Sequence, residues 1–179
     1  MDINTDARAI HVGNAYLTQI NGRETWKMNY VCENELQTRE GGRVYYIVVD
    51  GEIHKIGQSE ARGGIRSTIS PYMGGDKGSP SLRTFGVHTL ILQNLRENRE
   101  VSFWIRPMET TRVTIHGINR IHELEVTSSA KHLEEVLRKE YKDLLGRYPP
   151  WNFQENGEDW PREIHGSHMM LLSRGTGRN

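Results

Sequence analysis

Two patterns in the sequence predict an α+β fold, with a small, mainly antiparallel sheet of three or more strands flanked by helices. Residues 44–49 are a run of β-branched and aromatic residues, and an Asp50-Gly51 pair separates them from a second strand, residues 52–57, as in a β-hairpin. Residues 84–98 and 130–145 instead repeat their apolar side chains at helical spacing. The hairpin is therefore the expected centre of the sheet.

The first 41 residues mix short apolar clusters with polar breaks, and residues 33–40 have the composition of a short charged helix. The segment is predicted to be an N-terminal helical arm. It either contacts a second copy or DNA, or it simply covers one face of the sheet. The sequence favours neither role.

A helix is predicted directly after the hairpin. Ser59 has the side chain of a helix N-cap, the helix is expected to begin one residue later, and Pro71 is expected to end it. This helix would carry Arg62 and Arg66. The glycine-rich loop that follows, residues 73–80, lacks the spacing of a phosphate-binding P-loop and is interpreted as a flexible flap.

The rest of the chain has weaker patterns. Residues 101–105 and 111–115 alternate with a period of two and are predicted to be two strands connected through residues 107–109, the first of them in the sheet of the hairpin. Residues 147–179 are predicted to be an irregular tail, disordered from His165 onward. One domain is expected, with residues 42–145 as its core.

The composition is that of an ordinary globular protein, with 35% hydrophobic and 26% charged residues. No apolar run has the length that crosses a bilayer, and the first residues lack the basic and apolar regions of a signal peptide. A cytoplasmic location without membrane contact is expected. Cys32 is the single cysteine, and no Cys/His cluster has the spacing of a zinc site, so a bound metal ion would need oxygen ligands.

The net charge of zero does not favour a nucleic-acid-binding protein, but the charge is unevenly distributed. Residues 54–120 contain ten lysines and arginines against five acidic residues. Such an excess would suit a one-sided phosphate-binding surface, and it equally suits an ordinary solvated surface.

Glu134 has the most informative position among the acidic residues. Helical geometry places it inside the apolar arc of residues 130–145, so its carboxylate should point to the core or to a cleft, where an unpaired charge is costly. Either a divalent cation or an arginine would compensate the charge, and helix geometry alone favours the arginine. Glu140 also falls within the arc and is the rival candidate.

Residues 42–66 resemble the signature of the GIY-YIG nuclease superfamily. Val44-Tyr45 stands where Ile-Tyr stands in the first half of the motif, and Lys55-Ile56-Gly57 stands where Tyr-Ile-Gly stands in the second. A lysine in place of that tyrosine is the variant of a subgroup that includes small stand-alone Type II restriction endonucleases. The similarity extends over residues 42–145 and includes Glu134.

The resemblance implies a metal-dependent DNA endonuclease, most simply a sequence-specific Type II restriction enzyme that acts as a homodimer on double-stranded DNA. It places Tyr45 beside the attacking water, Arg66 on the scissile phosphate and Glu134 on one Mg²⁺ or Mn²⁺ per active site. Lys55 replaces the second tyrosine, and Arg62 is the substitute for Arg66.

Three further residues are candidates for binding substrate or ordering water: His54, Gln58 and Tyr72. Each proposed site residue also has an ordinary interpretation, Tyr45 as a half-buried sheet residue and Lys55 as a solvated strand residue. Within the same fold, a low-specificity phage or mobile-element nuclease and a non-catalytic DNA-binding module are the alternatives.

The hairpin register decides whether Tyr45 and Lys55 act together. A two-residue Asp50-Gly51 turn would pair Tyr46 with Lys55 and place Tyr45 on the other face of the sheet. A three-residue loop with Gly51 as a left-handed bulge would put Tyr45 directly across from Lys55. The second register is predicted, and in it the Lys55 ammonium should lower the pKa of the Tyr45 phenol.

Overall fold

The computed structural model describes residues 1–38, 40–108 and 110–175. Apart from a short 3-10 turn near the N-terminus, the strands and helices in these residues are β1 (Ile10–Ile20), β2 (Arg23–Tyr30), α1 (Asn34–Thr38), β3 (Arg43–Val49), β4 (Glu52–Ser59), α2 (Gly64–Met73), α3 (Leu82–Arg96), β5 (Val101–Pro107), β6 (Thr110–His116), β7 (Ile121–Thr127), α4 (Ala130–Leu145), α5 (Phe153–Asn156) and α6 (Arg162–Gly175). None of the described helices combines the length and the apolar character needed to span a bilayer.

Five of the strands form one antiparallel sheet in the order β2-β1-β5-β3-β4, with helices packed against it. The predicted α+β class is confirmed. Every residue of β3 is buried, because helices cover both faces of the sheet at this strand. Burial on both sides explains why the strand is a continuous apolar run and not an alternating one.

The core has two layers, one on each face of the sheet. On the first face, Tyr45 and Ile47 of β3 belong to a cluster that includes buried residues of α2 and α3. On the second face, Val44, Tyr46 and Val48 pack in a smaller cluster with Tyr141 of α4.

The N-terminal segment is not a helical arm. Residues 10–30 form the β1–β2 hairpin, and β1 pairs with β5, so the segment adds two strands to the sheet. The physical reason is a period of two in β2, where Trp26 and Met28 are buried in the first-face cluster while Lys27 between them is exposed. The predicted short charged helix is present as α1, and it is only five residues long.

Both predicted strands are present, as β5 and β6, and β5 joins the sheet of the hairpin as predicted. β5 lies between β1 and β3, so neighbours already occupy both of its edges, and β6 pairs with β7 in a separate two-stranded hairpin. Residue 109 of the predicted connection lies outside the described residues.

The helix boundaries also differ from prediction at two places. α2 begins at Gly64, later than predicted, and contains Pro71 in its last turn. The end of the chain is helical from Arg162 to Gly175 and not irregular, because Ile164 and His168 are buried; the His168 ring lies 5.4 Å from that of Phe85 in α3. Residues 176–179 lie outside the described residues.

The segment after α4 covers the outer edge of β4. The Trp151 amide donates to the His54 carbonyl at 2.8 Å. The Asn152 side chain accepts from the Ile56 amide and donates to its carbonyl, both at 3.0 Å. These bonds satisfy an edge that would otherwise be open to pairing with another chain.

Candidate active site

The β3–β4 hairpin has a register that differs from the predicted one. Asp50 and Gly51 both have positive φ, 49° and 82°, and Val49 pairs with Glu52, so the turn has two residues and not three. The register then shifts between Ile47 and Val48. The bulge therefore lies within the strand pair, and the prediction of a bulged three-residue loop was wrong.

The internal bulge nevertheless returns Tyr45 and Lys55 to one face. His54 is the extra residue, so Lys55 pairs with Ile47 and Tyr45 pairs with Gly57. Residues two apart in a strand share a face, so Tyr45 and Lys55 are diagonal neighbours on the first face. Tyr46 pairs with Ile56, and its side chain belongs to the second-face cluster.

Gly57 allows the Tyr45 ring to lie across β4. A Cβ atom at this position would come within 2.5 Å of both Cζ and Oη of Tyr45. Real Cβ atoms do not approach other atoms so closely, so any larger residue would displace the ring. The glycine of the second half-motif thus sets the position of the tyrosine of the first.

Tyr45 is buried, with 1% of its surface exposed, and its hydroxyl is 2.7 Å from that of Tyr72 on α2. Burial raises the pKa of Tyr45 well above its ordinary value; the neighbouring Tyr72 adds to the rise, and Arg83 opposes it. The expectation of a phenol acidified by Lys55 was wrong, because desolvation raises the pKa of Tyr45 by more than the charge of Arg83 lowers it. Tyr45 keeps its proton at neutral pH.

Lys55 is the most perturbed cation in the site. It is 3% exposed, and its ammonium is 3.4 Å from the carbonyl oxygen of Trp151. Burial lowers its pKa to about 7, with a further decrease from Arg83, while Glu155 and Glu134 act in the opposite direction. The lysine is therefore poised between its charged and neutral forms at physiological pH.

Glu134 points inward from α4 as predicted and is 9% exposed. Arg138, one turn later, places Nη2 3.7 Å from Oε2 of Glu134 and also pairs with Glu155. The expected arginine is thus present. Burial nevertheless raises the pKa of Glu134, against the opposing effects of Arg138 and Arg83. The rival, Glu140, is exposed.

The site offers few acidic side chains that could hold a magnesium ion. No group of three or more His, Cys, Asp and Glu side chains able to hold a metal is found among the described residues. Mg²⁺, however, often takes one or two carboxylates and completes its octahedron with water and substrate phosphate. Glu134, which is buried and only loosely paired with Arg138, suits that role.

In the described residues, the two predicted phosphate-binding arginines form no ion pair with Glu134 and no hydrogen bond with Tyr45. Arg66 donates from Nε to Oε1 of Gln37 at 2.6 Å, and its guanidinium lies 5.1 Å from the centre of the Tyr30 ring. Arg62 is exposed in the turn before α2. No contact among the described residues joins either arginine to Tyr45.

The other predicted substrate-binding residues lie at different distances from the centre of the site. Tyr72 bonds to Tyr45, and Gln58 lines the same open cavity as Tyr45, next to α2. His54 instead packs edge-on against Trp151 with ring centres 5.2 Å apart, and burial lowers its pKa to about 4. A histidine neutral at physiological pH can donate or accept a hydrogen bond there but adds no charge.

Sequence reasoning missed Arg83, Arg138 and Glu155. The sequence could have indicated Arg138, since this residue stands one helical turn after an inward glutamate. It could not have indicated Glu155 or Arg83, because the segments that carry them reach the hairpin only in the folded chain.

The sequence matches no protein-family model, and no curated protein matches it. Solved structures with a similar fold include a mutant of bacteriophage T4 EndoII, with 20% identity, a TM-score of 0.47, and 84% of this chain and 95% of that chain covered. Another is restriction endonuclease HPY188I in complex with product DNA, with 21% identity, a TM-score of 0.40, and 83% and 84% covered. The likeness to both structures is distant.

Proposed function

We propose that the chain is a metal-dependent endonuclease that hydrolyses phosphodiester bonds of double-stranded DNA. One observation carries this proposal: Lys55 and Glu134 are both buried at the covered edge of the sheet, close enough for each charge to affect the pKa of the other. Burying two ionisable groups costs free energy that an ordinary apolar core avoids. Clusters of perturbed groups of this kind are typical of catalytic sites.

Hydrolysis requires a proton to leave the attacking water. Lys55 suits this role, since a pKa of about 7 leaves a large neutral fraction at pH 7, and a neutral amine accepts a proton. Tyr45, which stays protonated, orients the water through its hydroxyl. The assignment of the base thus moves from the tyrosine to the lysine.

The departing oxygen and the phosphate need charge relief as well. Glu134 would hold Mg²⁺ or Mn²⁺, and such an ion when bound supplies Lewis-acid stabilisation of the phosphate and of the leaving oxygen. Arg138 fixes the Glu134 carboxylate from one side. The resemblance to the GIY-YIG nucleases further suggests cleavage that leaves a 5′-phosphate and a 3′-hydroxyl.

A plasmid digest with purified protein and Mg²⁺ or Mn²⁺ tests the proposal. Discrete bands would identify a sequence-specific Type II restriction enzyme, which we favour, and a smear would identify a low-specificity phage or mobile-element nuclease. Intact plasmid with retained DNA binding would identify a non-catalytic module and contradict the proposal.

The Glu134→Gln variant adds the residue-level test. It should keep DNA binding and lose cutting, because the amide removes the charge that holds the metal ion. Glu135→Gln is the matched control, since its side chain is exposed on the outer side of the same helix turn. Equal loss in both variants would place the metal ligand elsewhere.

We further propose that the enzyme is a homodimer. The β6–β7 hairpin makes no strand pairing with the main sheet in the described residues, and an isolated two-stranded hairpin is only marginally stable in water. Its Leu124 and Val126 are half exposed, as is Leu144 of α4, and a groove of about 740 Å³ separates hairpin and helix. Exposed apolar side chains around a groove suit a contact with a second copy, and a two-fold dimer suits a palindromic site.

Light scattering measures the oligomeric state directly. Leu144→Lys should convert a dimer to a monomer, because a charge would be buried in the interface. Leu17→Lys, on an exposed position of β1, is the control and should stay dimeric. A wild-type monomer, with and without DNA, would contradict the dimer and favour a nickase.

A further inference from the structure

An open cavity is lined by Tyr45 and by its hydrogen-bond partner Tyr72. Its walls come from the end of β4, from α2 and from the first turn of α3. Hydroxyl and amide groups dominate the polar part of the wall, including Gln58, Ser59, Ser67 and Thr68. Among the described residues that line it, none is an aspartate or glutamate, and Arg83 is the one cation.

Arg83 is the second residue of α3, and the helix start holds it in place. Ser81 is the N-cap, and its Oγ accepts from the Thr84 amide at 3.2 Å. The first turn of a fifteen-residue helix also presents the positive end of the helix dipole to the cavity.

The charge of Arg83 is not neutralised within the chain. In the part of the chain that the structure describes, no carboxylate forms an ion pair with it within 4 Å, whereas Arg138 holds two glutamates. Arg83 instead lines the cavity together with Tyr45 and Tyr72. Its charge also lowers the pKa of Lys55 and of Glu134.

We propose that Arg83 binds the reacting phosphate of the DNA in this cavity, next to Tyr45, in the role that the sequence assigned to Arg66. This inference rests on the proposed nuclease function. An unneutralised guanidinium in a carboxylate-free cavity suits a phosphate, which it can bind through two parallel hydrogen bonds. Arg66 is engaged by Gln37 and Tyr30, so it would have to break both contacts to reach the same phosphate.

Three variants test the inference: Arg83→Gln, Arg83→Lys and, as the matched comparison, Arg66→Gln. Binding of a short DNA duplex is measured in EDTA over a range of salt concentrations. Arg83→Gln should weaken binding about tenfold or more, and its salt dependence should correspond to about one fewer phosphate contact. With Mg²⁺ and saturating DNA, its cleavage rate should also fall. Arg83→Lys should recover part of the affinity, and Arg66→Gln should lose less affinity and less cutting than Arg83→Gln.

The thermal midpoint in inorganic phosphate supplies a readout that does not depend on cleavage. Phosphate should raise the midpoint of the wild type and of Arg83→Lys but not of Arg83→Gln. Equal shifts in all three would overturn the inference even if the protein is a nuclease. Normal cutting by Arg83→Gln with loss in Arg66→Gln would also overturn it. A wild type that neither binds nor cuts DNA would instead overturn the proposed function. Arg83→Lys keeps the test usable if Arg83→Gln does not fold.

Discussion

Tyr45 and Tyr46 are neighbours in β3, and both are almost completely buried, but the two faces of the sheet use them differently. On the second face, the Tyr46 hydroxyl donates to Oδ2 of Asp6 at 2.5 Å, and Asp6 also pairs with Arg106. On the first face, the Tyr45 hydroxyl meets the hydroxyl of Tyr72, and both residues line an open cavity. Burial raises the pKa of both phenols, so ionisation does not distinguish them.

The difference lies in what surrounds each hydroxyl. The second-face tyrosine completes a network in which an acid and a base already neutralise each other. The first-face tyrosine stands among Lys55, Arg83 and Glu134, whose charges are incompletely compensated. A buried network that is satisfied stabilises a fold, whereas an unsatisfied one is available to a substrate.

Substitutions on the two faces of the sheet should differ most in their effect on the cleavage rate. Lys55→Met should lower the cleavage rate by about 10²–10⁴-fold, the usual contribution of a general base. Tyr46→Phe, on the second face, should cut at nearly the wild-type rate. The wild-type kcat/KM should rise with pH up to about 7 and then level off, since the neutral amine of Lys55 is the active form.

Gel-based cleavage assays from pH 5.5 to 9 measure these rates. A Lys55→Met variant that cuts normally would remove the lysine from the reaction. A flat pH profile would show that another group accepts the proton.

The second prediction concerns the stability cost of Lys55. The pKa of Lys55 is about 7 in the folded chain, and its ordinary value is 10.5. This difference means that burying the charged ammonium costs on the order of 5 kcal/mol of folding free energy. Below pH 7 the lysine is charged in both states and the full cost applies. Between pH 7 and 10.5 the unfolded chain binds more protons, so the cost decreases as pH rises.

Lys55→Met should therefore raise the free energy of unfolding most at pH 6 and very little near pH 10. Urea denaturation at several pH values measures the difference between the variant and the wild type. Lys131→Met is the control, because that side chain is 73% exposed and should show no such pH dependence. Destabilisation of Lys55→Met at pH 6 would show that Glu134 and Glu155 more than offset the burial of the ammonium.

The third prediction concerns Gly57, where the first face has no room for a side chain. Gly57→Ala should cost about 1–3 kcal/mol in unfolding free energy and reduce cleavage, because the Tyr45 ring must move. Gly166→Ala in α6 is the control, since a Cβ atom there meets nothing within 4 Å. It should be neutral or slightly stabilising. Unchanged cleavage by Gly57→Ala would show that the ring position is not critical.

Local signals in the sequence predicted the parts of the fold that local interactions determine. The chain reversal at Asp50-Gly51 and the two helices predicted over residues 84–98 and 130–145 are all present in the structure. Glu134 points inward for the same reason, since the periodicity of one helix determines its direction.

The sequence could not predict the features that depend on distant segments. The bulge at His54 accompanies the backbone contact with Trp151, which lies far along the chain. The direction of Arg66 depends on Gln37 and Tyr30, both in the segment that was predicted to be an arm. Arg83 joins the site only because α3 packs beside α2.

The smallest expected effect compares the two tyrosines by removing one oxygen from each. Tyr46→Phe removes a hydrogen bond to the charged Asp6 and should cost about 1.5–3 kcal/mol, whereas Tyr45→Phe removes a bond between neutral hydroxyls and should cost about 0.5–1.5 kcal/mol. Cleavage should show the reverse order, with a greater loss in Tyr45→Phe, because Tyr45, and not Tyr46, lines the cavity that contains Arg83. Urea denaturation and cleavage rates on the same two variants give both orders. If the same variant showed the greater loss in both stability and cleavage, the idea that the second face stabilises the fold while the first face serves catalysis would be wrong.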